Sequence, residues 1–199
     1  MTSAQRRLIV PIICLILGVA LLGTTAYVTL RQTGGGVGAP QPAAIGGPFA
    51  LIGKDGKAIT DRDMLGKPFL VFFGYTHCPD VCPTTLFDIT ETFKALGADK
   101  KIGGLFVTVD PERDTPDVLK DYLSNFDPRI EAGTGPRESV DRVMKTYRVF
   151  ARRVPGEGSE YTMDHSAIVY LMDKQGRFVT ALNTQKTPQE LAKELARYL

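Results

Sequence analysis

The hydrophobic positions of this 199-residue chain fall into three zones. Residues 8–30 form one uncharged and mostly apolar run. Residues 31–48 are rich in Gly, Ala and Pro and contain almost no large apolar side chains. From residue 49 to residue 199, short apolar segments alternate with polar ones, which is typical of a folded domain that contains both helices and strands.

The first zone has the length of a membrane-spanning helix. As a helix, residues 8–30 would extend about 34 Å at ~1.5 Å per residue, which is enough to cross a hydrocarbon core of ~30 Å. A cleaved signal peptide has a shorter apolar core of roughly 7–15 residues, so we expect a retained transmembrane anchor. Arg6 and Arg7 outweigh Arg31 as positive flanks, and residues 1–7 are therefore predicted to be cytoplasmic.

The second and third zones predict a flexible linker followed by one domain. Residues 31–48 have the composition of a flexible tether. The domain, residues 49–199, is predicted to contain these elements in order: a hairpin of 49–52 and 58–59, strand 69–74, helix 84–96, strand 103–109, a helix from Thr115, helix 139–150, a hairpin of 167–172 and 177–182, and helix 187–199. A βαβ half followed by a ββα half predicts a thioredoxin-like α/β fold, in which helices flank a central mixed sheet. An N-terminal β-hairpin precedes it.

Composition narrows the classes of partner. The net charge is +2, the sequence pI is about 8.4, and no basic run with interleaved aromatic residues is present. Both observations argue against nucleic-acid binding.

The most informative chemistry is a pair of cysteines, Cys78 and Cys82, each followed by proline. They follow a strongly apolar predicted strand and precede a predicted helix, and a helix N-terminus is expected to lower the pKa of a thiol. Residues four apart lie on one face of a helical turn, so the two sulfurs could bind one metal ion or form a disulfide. A purely structural disulfide would close a very small loop and add little stability. A zinc site would need His77 and His165 as well, and adjacent His77 and Cys78 chelate poorly.

His165 is the second candidate ligand. It stands just before the predicted strand Ala167–Met172, where the sheet topology places it at the same end as the cysteines. Two thiolates and one neutral imidazole suit Cu(I), and Cu(II) with a weaker fourth ligand is an alternative. Asp164 could orient the imidazole, and Asp80 could tune the local charge or face a partner. For His77 we favour a loop residue over a ligand used in metal transfer.

Three segments resemble the motifs of one family. Residues 74–83, with the sequence GYTHCPDVCP, 109–116, with VDPERDTP, and 164–166, with DHS, resemble the signatures of the Sco/SenC family of copper chaperones. The similarity covers roughly residues 45–199. It implies copper bound by Cys78, Cys82 and His165, and a role in assembling cytochrome c oxidase. That role is either delivery of copper to the binuclear site of subunit II or reduction of that subunit's cysteines.

The resemblance also implies partners and a location. Besides subunit II, a copper donor and a thiol reductant are expected. Asp110, in the second motif, is expected to begin a turn with Pro111 rather than to contact copper. Only seven residues precede the apolar run, too few for an Arg-rich transit peptide, so we expect a bacterial inner-membrane protein with a periplasmic domain. The alternative is the mitochondrial inner membrane, facing the intermembrane space. A thiol–disulfide reductase is the main alternative to a chaperone, and a peroxidase is a more remote one.

Overall fold

A computed structural model describes residues 16–28, 45–158 and 160–199. The chain divides into two units between Ala43 and Ala44, and each is described by itself. In the first unit, residues 16–28 form helix α1.

The structure corrects the predicted transmembrane helix. The described part of α1, residues 16–28, corresponds to about 20 Å at ~1.5 Å per residue, whereas crossing a hydrocarbon core takes about 20 apolar residues. Of the helices that the structure describes, none is long and apolar enough to cross a membrane. The prediction of a spanning helix over residues 8–30 is therefore wrong. The predicted cytoplasmic segment 1–7, the remaining parts of the predicted span, 8–15 and 29–30, and most of the predicted linker, 31–44, lie outside the described residues.

The second unit contains a central five-stranded mixed sheet and two separate β-hairpins. Its elements, in chain order, are β1 Ala50–Ile52, β2 Ala58–Thr60, α2 Asp61–Met64, β3 Phe69–Gly74, α3 Val81–Leu96, β4 Gly103–Thr108, α4 Pro116–Leu123, β5 Ile130–Gly133, α5 Arg137–Tyr147, β6 Ala151–Pro155, β7 Tyr161–His165, β8 Val169–Met172, β9 Phe178–Ala181 and α6 Pro188–Leu195. The sheet order is β5-β4-β3-β8-β9, while β1 pairs with β2 and β6 with β7. The predicted mixed sheet flanked by helices and the predicted N-terminal hairpin are both observed.

The apolar composition of the central strands explains their place in the sheet. Every residue of β3 and of β4 is buried, as expected where elements cover both faces of a sheet. Helix α3 turns Leu86, Ile89 and Phe93 into the core, and it packs against α6.

The topology brings several loops to one edge of the sheet. Strands β3 and β4 are parallel, so their C-terminal ends lie at the same edge, and Val109 N–H donates to the Gly74 carbonyl at 2.8 Å. Strand β8 is antiparallel to β3 and begins opposite Phe72, at Val169. The chain before β8 therefore arrives where β3 ends, and this edge carries the candidate site.

Three features of the second unit were not predicted. The short helix α2 and strand β5 were missed, and so was the β6–β7 hairpin, which pairs Ala151 with His165 and Pro155 with Tyr161. His165 is accordingly the last residue of a strand rather than part of a loop. Helix α3 also begins three residues earlier than predicted, at Val81.

Candidate metal centre

Cys78, Cys82 and His165 come together at the edge where β3 ends. Their ligand atoms, two Sγ and one imidazole nitrogen, all lie within 4.8 Å of one another. Cys82 Sγ is 3.4 Å from His165 Nε2, and Cys82 N–H points to Cys78 Sγ at 3.4 Å. The three ligands that the sequence singled out are thus adjacent in the folded chain.

The two cysteines belong to different local structures. Cys82 is the second residue of α3, whereas Cys78 lies in the preceding loop, where its N–H donates to the Tyr75 carbonyl at 3.2 Å. The sulfurs therefore meet through the turn of this loop and not on one face of a helix. A Cβ at Gly74 would lie 2.7 Å from Cys82 Sγ, so the strand end can approach the sulfur this closely only with glycine.

Burial determines the protonation state of Cys82. Cys82 is 0% exposed and Cys78 8%, and both are free cysteines. Burial raises the pKa of the Cys82 thiol far above its ordinary value, and the neighbouring Cys78 raises it further. The expected lowering of the pKa by the helix N-terminus is therefore wrong for Cys82. A metal ion that binds Cys82 must displace its proton, which couples binding to proton release.

The imidazole of His165 is held in the tautomer that a metal needs. Its Nδ1 lies 3.2 Å from the Ser166 carbonyl oxygen, which can only accept a hydrogen bond, so Nδ1 carries the proton. The lone pair of Nε2 then faces Cys82 Sγ. Burial lowers the pKa of His165, which favours the neutral, ligating form. The Tyr75 ring packs edge to face against the imidazole, with centroids 5.8 Å apart.

The structure does not place Asp164 beside the imidazole as its orienting partner. Neighbouring residues of a strand point to opposite faces, and Asp164 is exposed and pairs with Arg152 at 3.1 Å. The carbonyl of Ser166 takes the orienting role that the sequence suggested for the carboxylate.

Asp80 and His77 are both exposed beside the cysteines. Asp80 is the N-cap residue of α3, and its side chain makes no capping hydrogen bond. Nδ1 of His77 lies 3.1 Å from Thr76 Oγ1, and His77 is not a member of the three-residue cluster. Asp80 is thus open to a partner, and His77 is a loop residue.

Asp110 lies in the interior, 0% exposed. Its carboxylate accepts hydrogen bonds from Arg113 Nε at 2.5 Å and from the Tyr161 hydroxyl at 2.9 Å. Its carbonyl accepts from the N–H groups of Arg113 and Asp114, which makes it the first residue of a turn, as expected. Full burial means that Asp110 does not face a partner.

Asp114 is a functional candidate that the sequence reasoning missed. This fully buried carboxylate accepts hydrogen bonds from Thr76 N–H at 3.1 Å, from Thr76 Oγ1 at 2.6 Å and from Thr108 Oγ1 at 2.6 Å. It therefore fixes the start of the loop that carries Cys78. Its place inside the second motif was the one available signal, because sequence does not reveal which carboxylate of a charged turn is buried.

The donor set narrows the choice of metal. Two thiol sulfurs and a neutral imidazole form a soft, three-ligand site of the kind that suits Cu(I). Structural zinc sites use four ligands, and the cluster that the described residues form supplies three. The group can hold copper, and its residues fit that ion better than zinc.

Comparison with known proteins decides the family. The model of the family described as SCO1/SenC matches residues 37–199. This chain belongs to the SCO1/SenC family. The SCO1/SenC match covers all three ligand candidates and the whole second unit, Ala44–Leu199. The family assignment and the site therefore refer to the same part of the chain.

Curated SCO1/SenC relatives include mitochondrial and bacterial proteins. Protein SCO1 homolog, mitochondrial, of Homo sapiens is 36% identical over 159 residues, which are 78% of this chain and 53% of the relative. Protein SCO2, mitochondrial, of Saccharomyces cerevisiae is 44% identical over 144 residues, 70% of this chain and 48% of the relative. SCO2-like protein RP587 of Rickettsia prowazekii is 42% identical over 138 residues, 68% and 67% of the two chains. The chain thus spans about half the length of the human and yeast relatives.

Solved SCO1/SenC structures support the thioredoxin-like fold. Bradyrhizobium japonicum ScoI with copper bound has a TM-score of 0.75 and 54% identity, over 78% of this chain and 100% of that chain. Yeast Sco1 with copper bound has a TM-score of 0.72 and 36% identity, over 78% and 88%. The predicted fold of the second unit and the predicted family are confirmed.

Proposed function

We propose that this chain is a copper chaperone for cytochrome c oxidase, with residues 49–199 as its copper-binding domain. Cys78, Cys82 and His165 bind one copper ion, which is the cargo delivered to the binuclear copper site of subunit II. The observation that carries the proposal is the convergence of the three ligand atoms within 4.8 Å. The copper-bound state of two solved relatives supports the choice of metal.

Transfer of copper proceeds by exchange of ligands with thiolates of the recipient. Cys78 exchanges first, because it retains 8% exposure while Cys82 has none. Asp80, exposed between the two cysteines, is the charged group that a recipient meets beside them. The neutral imidazole of His165 is the third ligand of Cu(I) and keeps its place in Cu(II), whose fourth ligand is weaker.

The proposed partners follow from the chemistry of the thiols, and the proposed location follows from the relatives. Free thiols must be kept reduced to bind Cu(I), so a thiol reductant and a copper donor are required partners. The relatives are mitochondrial and bacterial proteins, and we place the domain in the bacterial periplasm, with the mitochondrial intermembrane space as the alternative.

A thiol–disulfide reductase is the second candidate function, acting on the copper-site cysteines of subunit II. Proximity of Cys78 and Cys82 favours it, because two sulfurs within 4.8 Å need only a small movement to form a disulfide. Such a reaction would oxidise this pair to a disulfide and reduce a disulfide of subunit II to two thiols. The same two sulfurs serve both functions.

Measurement of Cu(I) binding and transfer tests the proposal. The full reduced chain should bind one Cu(I) in competition with a chromophoric chelator and pass it to the soluble copper domain of subunit II. Cys78→Ser, Cys82→Ser and His165→Ala should each weaken binding at least ~10-fold, the lower limit expected for loss of a metal-site contact, while His77→Ala is the matched control and should bind as wild type. If His165→Ala binds and delivers Cu(I) like wild type, the ligand assignment is wrong. If His165→Ala no longer delivers Cu(I) but still reduces the subunit II disulfide with copper chelated, the chain has the reductase function independently of copper.

A further inference from the structure

We propose that Arg113 and Tyr161 are positioning residues for His165. They fasten the β6–β7 hairpin, which ends at His165, to the loop that follows β4. The inference rests on the proposed function, because it takes His165 as a copper ligand. It explains how an imidazole at the end of an exposed hairpin keeps a fixed distance from Cys82.

The hairpin has little packing of its own. Strands β6 and β7 form a separate two-stranded sheet, and Met163 is the one buried residue of those two strands. An isolated two-stranded hairpin is marginally stable in water. The position of His165 therefore depends on contacts that the hairpin makes with the rest of the domain.

Tyr161, the first residue of β7, makes those contacts. Its hydroxyl donates to the buried carboxylate of Asp110 at 2.9 Å, and its carbonyl accepts from Arg113 Nη1 at 3.1 Å. The Arg113 guanidinium lies 3.6 Å from the centroid of the Tyr161 ring, within the range of a cation–π contact. The same guanidinium pairs with Asp110 through Nε. Side chain and backbone of Tyr161 are thus both held by one turn.

Two routes connect this turn to the imidazole. Tyr161, Met163 and His165 alternate along β7 and share one face of the strand, so fixing the first residue and burying the second sets the direction of the third. Arg113 also lies 5.8 Å from the centroid of the Tyr75 ring, the ring against which the imidazole packs edge to face. One guanidinium therefore supports both the strand and the aromatic ring that define the place of His165.

Substitutions can separate this role from general stability. Tyr161→Phe keeps the ring and its contact with Arg113 but removes the hydrogen bond to Asp110. Arg113→Lys keeps the charge but loses the planar group that reaches Asp110 and the Tyr161 carbonyl together. Loss of an outer contact to a metal ligand typically lowers metal affinity about 10–100-fold, and we expect about 10-fold for Tyr161→Phe.

A double-mutant cycle on the full chain is the decisive experiment. Cu(I) affinity is measured by chelator competition for wild type, Tyr161→Phe, His165→Ala and the double variant, with Tyr198→Phe as the control for loss of a tyrosine hydroxyl elsewhere. Tyr161→Phe should weaken binding about 10-fold in the wild-type background and should have no further effect in the His165→Ala background, because it acts through the imidazole. Electron paramagnetic resonance of the Cu(II) form should show partial loss of the nitrogen ligand, as in His165→Ala.

Four outcomes would overturn the proposal. Equal loss of affinity in both backgrounds would mean that Tyr161 acts through the fold, and unchanged affinity in the wild-type background would mean that it does not act on the site. Amide hydrogen exchange in the metal-free chain gives a readout without copper, and unchanged exchange of residues 151–165 in both Tyr161→Phe and Arg113→Lys would show that the hairpin is not fastened there. Wild-type affinity in His165→Ala would instead refute the proposed ligand set, and this inference with it, so the two failures are distinguishable.

Discussion

At the scale of single residues, Cys82 shows how burial competes with a helix terminus. The second position of α3 is where exposed N–H groups stabilise a thiolate, yet the side chain has no contact with water. Moving the charged thiolate out of water costs more free energy than the helix N-terminus contributes by stabilising it. The pKa of the thiol is therefore raised. Cys82 is therefore a protonated thiol until a metal ion displaces its proton or an oxidant takes two electrons from Cys78 and Cys82, which form a disulfide and release both protons.

This difference in burial predicts the order in which the cysteines react. In the reduced, metal-free chain at pH 8, iodoacetamide should modify Cys78 at least ~10-fold faster than Cys82, because a thiolate that water can reach is the reactive species. Mass spectrometry of the proteolysed chain measures both rates. The chain unfolded in urea is the control, and there the two rates should be similar. Faster modification of Cys82 in the folded chain would contradict the burial argument.

The same thiol predicts a pH dependence of stability. The unfolded Cys82 ionises near its ordinary value of 9.0, whereas the folded one stays protonated at higher pH because its pKa is raised. The contribution to stability is fully present below pH 9.0 and is lost as the pH rises through that value toward the folded pKa. Between pH 9 and 10, wild type should lose about 1 kcal/mol more free energy of unfolding than Cys82→Ser, because the unfolded thiol is half ionised at pH 9 and almost fully ionised at pH 10. Urea unfolding with reductant and chelator measures it, and parallel profiles would refute it.

The buried hydrogen bonds of Asp114 predict that its substitution lowers the free energy of unfolding. Asp114→Asn turns one acceptor of the buried carboxylate into a donor that faces Thr76 or Thr108, and leaving a buried hydrogen bond unmade costs about 1–3 kcal/mol. Asp164→Asn is the matched control, because its exposed ion pair with Arg152 is worth only about 0–1 kcal/mol. Equal free energies of unfolding for the two variants, from urea denaturation, would show that Asp114 does not anchor the loop.

At the scale of elements, predictability followed the amount of apolar surface that an element buries. Strands β3 and β4 are buried along their whole length, so their continuous apolar sequences were sufficient to place them. The β6–β7 hairpin buries only Met163 in its two strands, and β6 lacks a regular apolar alternation. His165 was nevertheless placed at the correct edge, because the direction of β8 relative to β3 determines where the preceding chain arrives. The tautomer of His165 and the burial of Asp110 and Asp114 depend on tertiary contacts that no local pattern encodes.

Gly74, the last residue of β3, leaves no room for a side chain beside Cys82 Sγ, so its substitution should disturb the copper site. A Cβ at Gly74 would lie 2.7 Å from Cys82 Sγ and 2.8 Å from the Phe106 ring, so Gly74→Ala must displace the sulfur. We expect about 10-fold weaker Cu(I) binding, as for other disturbances of a metal site, and a loss of about 1–3 kcal/mol in the free energy of unfolding from overpacking.

Gly103→Ala is the matched control for this substitution, at the opposite end of the same strand pair. The added Cβ would meet the flexible end of Lys67 at 3.0 Å, which can move aside. Chelator competition and urea unfolding on both variants measure the two effects. Wild-type copper affinity in Gly74→Ala would show that the sulfur has room to move without cost.

At the scale of the whole molecule, the site joins parts of the chain that are far apart in sequence. Cys82 and His165 are separated by 83 positions, and they belong to a core helix and to a hairpin outside the central sheet. A copper ion bound to both therefore ties the hairpin to the core. Since this ligand set exists only in the folded chain, binding must stabilise the fold by mass action.

The two thiols also make copper binding and oxidation mutually exclusive states of the whole domain. A disulfide between Cys78 and Cys82 removes both sulfur ligands and leaves His165 alone, which cannot hold Cu(I) by itself. With free Cu(I) buffered at 100 times the dissociation constant, the reduced chain should gain about 2.7 kcal/mol of stability, and the oxidised chain should gain none until a dithiol reductant restores it. Thermal unfolding of both forms measures this, with Cys78→Ser as the control: it cannot form the disulfide, so its gain should be at most about 1.4 kcal/mol and should not change on oxidation. Stabilisation of the oxidised chain by Cu(I) would mean that copper binds elsewhere, and the site formed by α3 and the hairpin would not be the one that carries the cargo.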